Sequence, residues 1–360
     1  MSNKTDVVIN GRPIGPDHPP YLVAELSANH NGSLQKAKDH ISLAAKHGAD
    51  AIKLQTYSAD TMTIDCHKPD FVIQGGLWDQ RQLYDLYQEA STPYEWHKPL
   101  FDHARQQGIT CFSTPFDESA VDILEDLNAP AYKIASFEAV DLPLIRYVAA
   151  TKKPMVISTG MASQIEMAEA LDAARSGGCE QLILLHCISS YPTPSDQYHV
   201  RTMSAIAQTF DVVVGLSDHS LDDTAAMAAV ALGGCFVEKH FIESRSQTGP
   251  DSSFSIEPSE LSRLKQNLVN TWQCLGRAGF HRAQVEEKNK QFRRSLYFVA
   301  DACAGDVITS DMVKKIRPGF GLAPKYLDHV VGQTLAQSVS RGDAVAWQHI
   351  VGGGSDQGQE

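Results

Sequence analysis

The chain alternates short apolar runs with stretches of helical periodicity, and this alternation limits its possible folds more than any other feature. The runs are almost wholly apolar, which is typical of parallel strands that are covered by helices on both faces. Eight runs have this character: Tyr21–Leu26, Ala51–Tyr57, Ile109–Thr114, Ala131–Ala135, Met155–Ser158, Leu182–Cys187, Val212–Leu216 and Cys235–Phe241. The sequence therefore predicts a buried parallel sheet.

Helical stretches separate these runs, and several of them end at a glycine, the residue that favours a helix C-cap. They are Leu34–His47, Tyr94–Gln107, Glu118–Leu127, Leu142–Thr151, Gln164–Gly177, Val200–Phe210, Asp222–Gly233 and Ser259–Leu275. Eight strands that alternate with eight helices predict an α/β fold, a (β/α)8 TIM barrel. An open doubly wound sheet is the alternative, but no GxGxxG motif follows the first strand, which disfavours dinucleotide binding.

Changes in composition mark three regions after the predicted barrel. We expect the barrel over residues 1–278, a polar linker over 279–294, a small β-rich domain over 295–351 and a flexible tail over 352–360. The segment Met62–Ala90 is longer than an ordinary connection and carries four aromatic residues, so we interpret it as an ordered excursion over the barrel mouth. An insertion with its own small core is the alternative.

Composition also excludes several classes of protein. The 360 residues carry a net charge of −12, which argues against a protein that coats nucleic acid or an anionic membrane. No apolar stretch reaches the ~20 residues of a membrane helix, and the first residues do not resemble a secretory signal. The 7 cysteines contain no CxxC and form neither a disulfide framework nor a zinc-site pattern. We therefore expect a cytoplasmic protein with reduced thiols.

Two lysines, Lys53 and Lys133, lie inside runs that otherwise resemble buried strands. Lysine is almost never fully buried without a partner, so the two predict an anionic ligand at the barrel mouth. Hydroxyl groups at other strand ends would complete a surface for phosphate and carboxylate: Thr114, Ser136, Ser158 and Ser217. Two alternatives stay open: a Schiff base with a carbonyl substrate, or salt bridges to Glu25 or Glu138.

Glu25 and Glu138 follow or end predicted strands and are the candidates for acid–base catalysis, although they could simply neutralise the lysines. Cys187 follows His186 directly, and a cysteine and a histidine can act as a nucleophile and its base. Neighbours on a strand point to opposite faces, however, so we interpret Cys187 as a small core residue.

His219 and His240 lie at the ends of the seventh and eighth predicted strands. Two neutral imidazoles on adjacent strand ends can bind one divalent ion, with oxygen ligands and substrate completing the shell. A hydrogen-bonded pair of structural histidines is the alternative.

The order of these motifs resembles the sialic acid synthase family over nearly the whole chain. The motifs begin with Ala24-Glu25, Asn29-His30-Asn31-Gly32-Ser33 and Lys53-Leu54-Gln55, and continue with Ser113-Thr114-Pro115-Phe116, Pro130-Ala131-Tyr132-Lys133-Ile134, Ser158-Thr159-Gly160-Met161, Tyr191-Pro192-Thr193-Pro194, Gly215-Leu216-Ser217-Asp218-His219 and Gly249-Pro250-Asp251. The region around Arg293-Arg294-Ser295 and Arg317-Pro318-Gly319 resembles the antifreeze-like (SAF) domain of that family. The segment Met62–Ala90 is most similar to the branch of the family that makes pseudaminic acid.

This resemblance implies condensation of phosphoenolpyruvate with an open-chain 2,4-diacetamido-2,4,6-trideoxy hexose, giving a nonulosonic acid and phosphate by C–O cleavage. It implies that His219 and His240 hold a divalent metal ion, Mn²⁺ or Mg²⁺. The phosphoenolpyruvate site would comprise Lys53, Thr114, Lys133, Ser136, Ser158, Ser189 and Ser217. The sugar site would comprise Gln55, Glu138, Tyr191, Asp251 and Arg317. Catalytic roles would fall to Glu25, Lys53, Lys133 and Glu138.

The resemblance also implies a homodimer in which the small domain, with Arg317, caps the barrel of the partner subunit. Sialic acid synthases carry Asn where this chain has Ser189, and we associate that change with a different sugar. The alternatives are an N-acetylneuraminate or legionaminate synthase, a pyruvate aldolase that forms a Schiff base, and a carbohydrate-binding protein without enzymatic activity.

Overall fold

A computed structural model describes residues 6–353 of the chain, which divide into two compact units, one extending to Gly276 and the other beginning at Arg277. Residues 354–360, most of the tail expected over 352–360, lie outside the described residues.

The first unit is a closed barrel of eight parallel strands, as the sequence predicts. A short antiparallel hairpin, β1 (Val7–Ile9) and β2 (Arg12–Ile14), precedes it. The barrel strands are β3 (Tyr21–Glu25), β4 (Ala51–Thr56), β5 (Thr110–Pro115), β6 (Tyr132–Ile134), β7 (Met155–Ser158), β8 (Leu182–Cys187), β9 (Val213–Asp218) and β10 (Phe236–His240). β10 pairs with both β3 and β9, which closes the barrel.

The described residues of this unit contain ten α-helices, and all but the second and third bury apolar residues against the barrel. They are α1 (Leu34–Lys46), α2 (Ala59–Met62), α3 (Leu83–Ala90), α4 (Tyr94–Gln107), α5 (Glu118–Asp126), α6 (Leu142–Ala149), α7 (Gln164–Ser176), α8 (Arg201–Phe210), α9 (Thr224–Ala231) and α10 (Pro258–Leu275). Side-chain caps fix several starts: Ser33 and Ser163, for example, accept from the backbone amides of Lys36 and Glu166.

The barrel interior is apolar at one end and polar at the other. The N-terminal halves of the strands contribute an apolar cluster that includes Tyr21, Phe112 and Phe236, and the hairpin residues Val7 and Ile9 pack against it. Because side chains alternate along a strand, residues two or four positions further on face the same interior at the opposite end.

The hairpin was not predicted from the sequence, and its strands have only 3 residues each.

The long segment after β4 is ordered. It contains α2, α3 and a bridge between Val72 and Gln82, and its Trp78 donates a hydrogen bond to the Pro250 carbonyl at 3.3 Å. This segment therefore packs onto the loop that follows β10.

The second unit has its own core, formed by residues such as Leu296, Phe298 and Val345. It contains the antiparallel pair β11 (Ser295–Phe298) and β12 (Val313–Ile316) and the short helix α11 (Leu327–Val330). Further isolated bridges connect its turns, which makes it rich in β-structure.

None of the helices among residues 6–353 is long and apolar enough to cross a membrane. All 7 cysteines lie in the described part of the chain, and none of them forms a disulfide there.

Candidate active site

Two ammonium groups and two carboxylates meet inside the polar end of the barrel. The Lys53 Nζ lies 3.2 Å from a Glu25 oxygen and 3.0 Å from Glu238 Oε1. The Lys133 Nζ lies 2.9 Å from the same Glu238 oxygen. All four side chains are buried. The two lysines that the sequence predicted to share a cavity therefore do so, and Glu238 links them.

Glu238 is a site residue that the sequence analysis missed. On β10 it lies two residues after Phe236, which belongs to the apolar cluster, and two residues before His240. All three side chains therefore face the barrel interior. Burial opposes its ionisation, but the ammonium groups of Lys133 and Lys53 outweigh burial and hold the Glu238 pKa below its usual range. Glu238 is thus the resident counter-ion of both lysines.

Glu25 pairs with one ammonium group, whereas Glu238 pairs with two. Burial raises the Glu25 pKa to about 7, against the opposing attraction of Lys53. The Gln55 amide donates to Glu25 at 2.9 Å and to the Ser27 hydroxyl at 3.1 Å, which fixes one carboxylate oxygen. A carboxyl group with a pKa near neutrality can accept and return a proton under physiological conditions.

Glu138 lies in a short 3-10 turn after β6 and forms no ion pair with either lysine. Its Oε2 is buried without a hydrogen-bond partner, and burial raises the Glu138 pKa to about 7. The salt bridge from a lysine to Glu138 that was one alternative is therefore not formed, whereas the alternative bridge to Glu25 is.

Most of the predicted hydroxyl groups lie at the same end of the barrel. Thr114 accepts from Lys53 at 3.3 Å, and the Ser158 hydroxyl is buried without a partner. Ser217 is also buried, one position before the end of β9.

Gly160 leaves open a small space between two further serines. A Cβ at this position would lie 2.3 Å from the Ser189 hydroxyl and 2.7 Å from the Ser136 hydroxyl, so a larger residue would displace both groups. The Gly160 amide donates to Ser136 at 3.2 Å. Ser136 and Ser189 therefore lie together and border the open side of the barrel.

The two predicted metal ligands are neighbours. The rings of His219 and His240 have centroids 5.6 Å apart. His219 Nδ1 lies 2.9 Å from the Ile188 carbonyl, and this hydrogen bond fixes the ring. Burial, together with the neighbouring His219, holds the His240 pKa well below its usual range, so this imidazole stays neutral.

These donors fit a divalent cation. His240 Nδ1 is buried without a hydrogen-bond partner, and it lies 4.0 Å from an Asp251 oxygen. Within residues 6–353, no three His, Cys, Asp or Glu side chains converge on one metal position, so substrate or water oxygens would have to complete the shell.

Cys187 is buried, as expected of a core residue, and its thiol lies beside His219. Burial opposes ionisation of the thiol, yet the hydrogen bond and charge of His219 lower the Cys187 pKa to about 7. His186 points the other way and bonds the Tyr198 carbonyl at 2.7 Å, as the alternation of side chains on a strand requires.

Aromatic rings line the side of the cavity next to the imidazoles. The Tyr191 ring lies 4.2 Å from that of His219, 5.0 Å from Phe254 and 6.0 Å from Trp78. Asp251, in the loop after β10, accepts from the Ala28 amide at 3.3 Å. We call Trp78, Tyr191 and Phe254 the aromatic wall.

Arg317 belongs to the second unit, where it follows β12 and is exposed. The other predicted site residues all belong to the barrel unit.

Comparison with known families shows which family the chain belongs to. The NeuB family model matches residues 40–279, and the SAF domain model matches residues 293–351. The chain belongs to the NeuB family. The expected resemblance to sialic acid synthases and the expected fold, a TIM barrel followed by a SAF domain, are thereby confirmed.

Relatives within the NeuB family place the chain more finely. It is 41% identical over 325 residues to the pseudaminic acid synthase of Campylobacter jejuni, an alignment that covers 90% of this chain and 95% of the relative. It is 33% identical over 348 residues to the N,N'-diacetyllegionaminic acid synthase of Legionella pneumophila, covering 95% of this chain and 98% of the relative.

A solved NeuB-family structure has the same fold. The N-acetylneuraminic acid synthetase of Leptospira borgpetersenii superposes with a TM-score of 0.72 at 26% identity, over 79% of this chain and 95% of that chain.

Proposed function

We propose that this chain is a pseudaminic acid synthase, which condenses phosphoenolpyruvate with an open-chain 2,4-diacetamido-2,4,6-trideoxy hexose and releases phosphate. The observation that carries the proposal is the 41% identity to a pseudaminic acid synthase across 90% of the chain. The charged groups inside the barrel supply the chemistry that this reaction needs.

Phosphoenolpyruvate carries a phosphate and a carboxylate, and the two buried lysines are suited to bind them. Lys53 and Lys133 share Glu238 as counter-ion, so an arriving anion can take over part of their hydrogen bonding. The hydroxyl groups of Ser136 and Ser189, with the space beside Gly160, add neutral donors for phosphate oxygens. Fixed ammonium groups also stabilise charge that develops as phosphate leaves.

Bond formation joins carbon 3 of phosphoenolpyruvate to the aldehyde carbon of the sugar, and carbon 2 becomes electron-poor. Water then attacks carbon 2, and Glu25 accepts the proton that this water loses. Collapse of the adduct forms the carbonyl at carbon 2 and breaks the bond between carbon 2 and the bridging oxygen, so that oxygen leaves with phosphate, which takes up the second proton of the water. The proton held by Glu25 passes to the oxygen of the former aldehyde, which becomes a hydroxyl group. Gln55 holds the Glu25 carboxylate in place during these steps.

His219 and His240 would hold the divalent metal ion, which we propose to be Mn²⁺ or Mg²⁺. When bound, such an ion supplies a Lewis acid for a carbonyl oxygen. The two imidazoles are suited to this task because His240 is kept neutral by burial and the His219 ring is fixed by a carbonyl.

The sugar would lie between Gln55, Glu138, Asp251 and the aromatic wall. The carboxyl and amide groups can bond the hydroxyl and acetamido groups of the hexose. The aromatic wall offers an apolar surface, which suits the methyl group of a 6-deoxy sugar better than a hydroxymethyl group.

We further propose a homodimer in which Arg317 of one subunit acts on the substrate of the other, and a cytoplasmic location where the free thiols stay reduced.

Two experiments test the reaction class. With ¹⁸O in the bridging position of phosphoenolpyruvate, the label should appear in phosphate; label retained in the sugar product would refute C–O cleavage. A Schiff-base aldolase is the alternative, and borohydride should then trap an adduct on Lys53 or Lys133. We expect no trapped adduct, because both amines are bonded to carboxylates.

A further inference from the structure

Asp218 and Lys239 form an ion pair outside the cavity. The Lys239 Nζ lies 2.7 Å from Asp218 Oδ2, and both side chains are 0% exposed. The two residues are direct register partners on β9 and β10. Each immediately precedes one of the imidazoles, His219 or His240, so its side chain points to the opposite face of the barrel wall.

This pair belongs to a fully bonded network. Lys239 also donates to the Ser220 hydroxyl at 3.1 Å and to the Asp222 carbonyl at 2.9 Å, which uses its three N–H groups. Asp218 Oδ1 accepts from the Tyr198 hydroxyl at 2.6 Å and from the Ser220 amide at 2.8 Å.

Tyr198 connects the network directly to one imidazole residue. Its hydroxyl oxygen accepts from the His219 backbone amide at 3.0 Å. The Ile188 carbonyl holds the His219 ring by a separate bond. His219 is therefore fixed at both its backbone and its ring, by groups that do not line the cavity.

Stability alone does not explain a buried ion pair at this place. Apolar residues of similar volume often stabilise a protein as well or better, since both charges must be desolvated. A fully satisfied buried network does, however, favour one arrangement of the strands that carry it. Here the two strands lead directly to His219 and His240. One ligand bound by both imidazoles would require a fixed spacing between them.

We propose that Asp218, Lys239 and Tyr198 are positioning residues that fix the spacing and orientation of His219 and His240 for one divalent cation. This inference rests on the proposed function, in which the two imidazoles hold the ion. Loss of groups that orient metal ligands typically weakens metal binding by about 10–100-fold.

The test measures Mn²⁺ binding to metal-stripped protein by the electron paramagnetic resonance signal of free Mn²⁺. Tyr198→Phe removes one hydroxyl and keeps the ion pair, so the variant should fold. Asp218→Asn combined with Lys239→Met removes both charges together. We expect Mn²⁺ affinity to fall about 10-fold in the first variant and up to about 100-fold in the second.

A matched control uses the pair of Asp50 and Lys265, whose charged atoms lie 2.6 Å apart at the N-terminal end of the strands. Asp50→Asn with Lys265→Met should lower the thermal midpoint of unfolding but leave Mn²⁺ affinity unchanged. The Tyr198→Phe enzyme should also need more Mn²⁺ for half-maximal rate while kcat at saturating Mn²⁺ changes little.

The outcomes separate the two claims. If the wild type binds Mn²⁺ and the Tyr198 and Asp218–Lys239 variants bind it equally well, the positioning inference is wrong. If the wild type binds no Mn²⁺, or His219→Ala binds it as tightly as the wild type, the metal site of the proposed function is wrong and the inference falls with it.

Discussion

The Glu238 carboxylate contacts the Lys133 ammonium group through both of its oxygens, at 2.9 and 3.1 Å. The same carboxylate also serves Lys53. Two cations can therefore lie inside the barrel before substrate arrives, because Glu238 bonds both of them and Glu25 forms a second ion pair with Lys53.

Glu238→Gln should destabilise the ligand-free protein by about 3–5 kcal/mol, since the change leaves buried charge uncompensated. Phosphoenolpyruvate should raise the thermal midpoint of this variant more than that of the wild type, because the anion replaces the missing charge. Unfolding curves with and without phosphoenolpyruvate measure both effects.

Glu125→Gln is the control for that experiment. Glu125 pairs with Lys153 at 2.6 Å, but both side chains are partly exposed, so its loss should cost less than about 1 kcal/mol. Equal losses for the two variants would show that Glu238 is not the counter-ion described above.

Glu138 should make the ligand-free protein less stable as the pH rises. Burial raises its folded-state pKa from 4.5 to about 7, so the folded protein binds the proton more tightly than the unfolded chain does. The stabilising contribution is complete below pH 4.5 and disappears as the pH rises through about 7.

Glu138→Gln should remove that pH dependence. Each pKa unit corresponds to about 1.4 kcal/mol, and partial exposure of Glu138 reduces the effect, so we expect the variant to gain about 1–2 kcal/mol relative to the wild type between pH 4.5 and pH 8. Urea unfolding at both pH values measures this gain. A constant difference between the two proteins would contradict the raised pKa.

Trp78→Ala should raise the KM for the trideoxy sugar several-fold and change the KM for phosphoenolpyruvate little. The loss of apolar contact to one methyl group corresponds to about 0.8 kcal/mol, and looser packing of Tyr191 adds to it. Trp272→Ala is the matched control, because Trp272 bonds the Pro16 carbonyl, away from the aromatic wall. Similar kinetics for both variants would exclude Trp78 from sugar binding.

Arg317→Ala mixed with His219→Ala should recover activity if the small domain acts on the partner subunit. Random exchange makes half of the dimers mixed, and each mixed dimer then has one intact site, so about one quarter of wild-type activity should return. Steady-state assays after subunit exchange measure this recovery. An inactive mixture would place Arg317 at the barrel of its own chain.

Much of the fold follows from the sequence, because parallel strands that are buried on both faces require runs of apolar residues. Met155–Ser158 and Leu182–Cys187 have the predicted bounds, and the other strands differ by one or two residues at either end, where turn residues compete for pairing. The hairpin Val7–Ile14 was not predicted, since two strands of 3 residues are too short for a periodic pattern.

The sequence predicted where in the barrel the site lies, but it did not predict all of the contacts between the site's side chains. Lys53 and Lys133 stand out because a cation in an apolar run needs a partner. Glu238, 105 residues from Lys133, was overlooked because it lies directly beside Lys239, and only the barrel register shows which of the two charges faces inward. Nothing in the spacing indicated that Lys239 would pair with Asp218.

The most direct test of the account is a phosphate-release assay with phosphoenolpyruvate, Mn²⁺ and each candidate hexosamine, with mass spectrometry of the product. We expect turnover with the 2,4-diacetamido-2,4,6-trideoxy hexose that leads to pseudaminic acid, and a nonulosonic acid of the corresponding mass. Turnover with N-acetylmannosamine or the legionaminic acid precursor, but not with that sugar, would contradict the account.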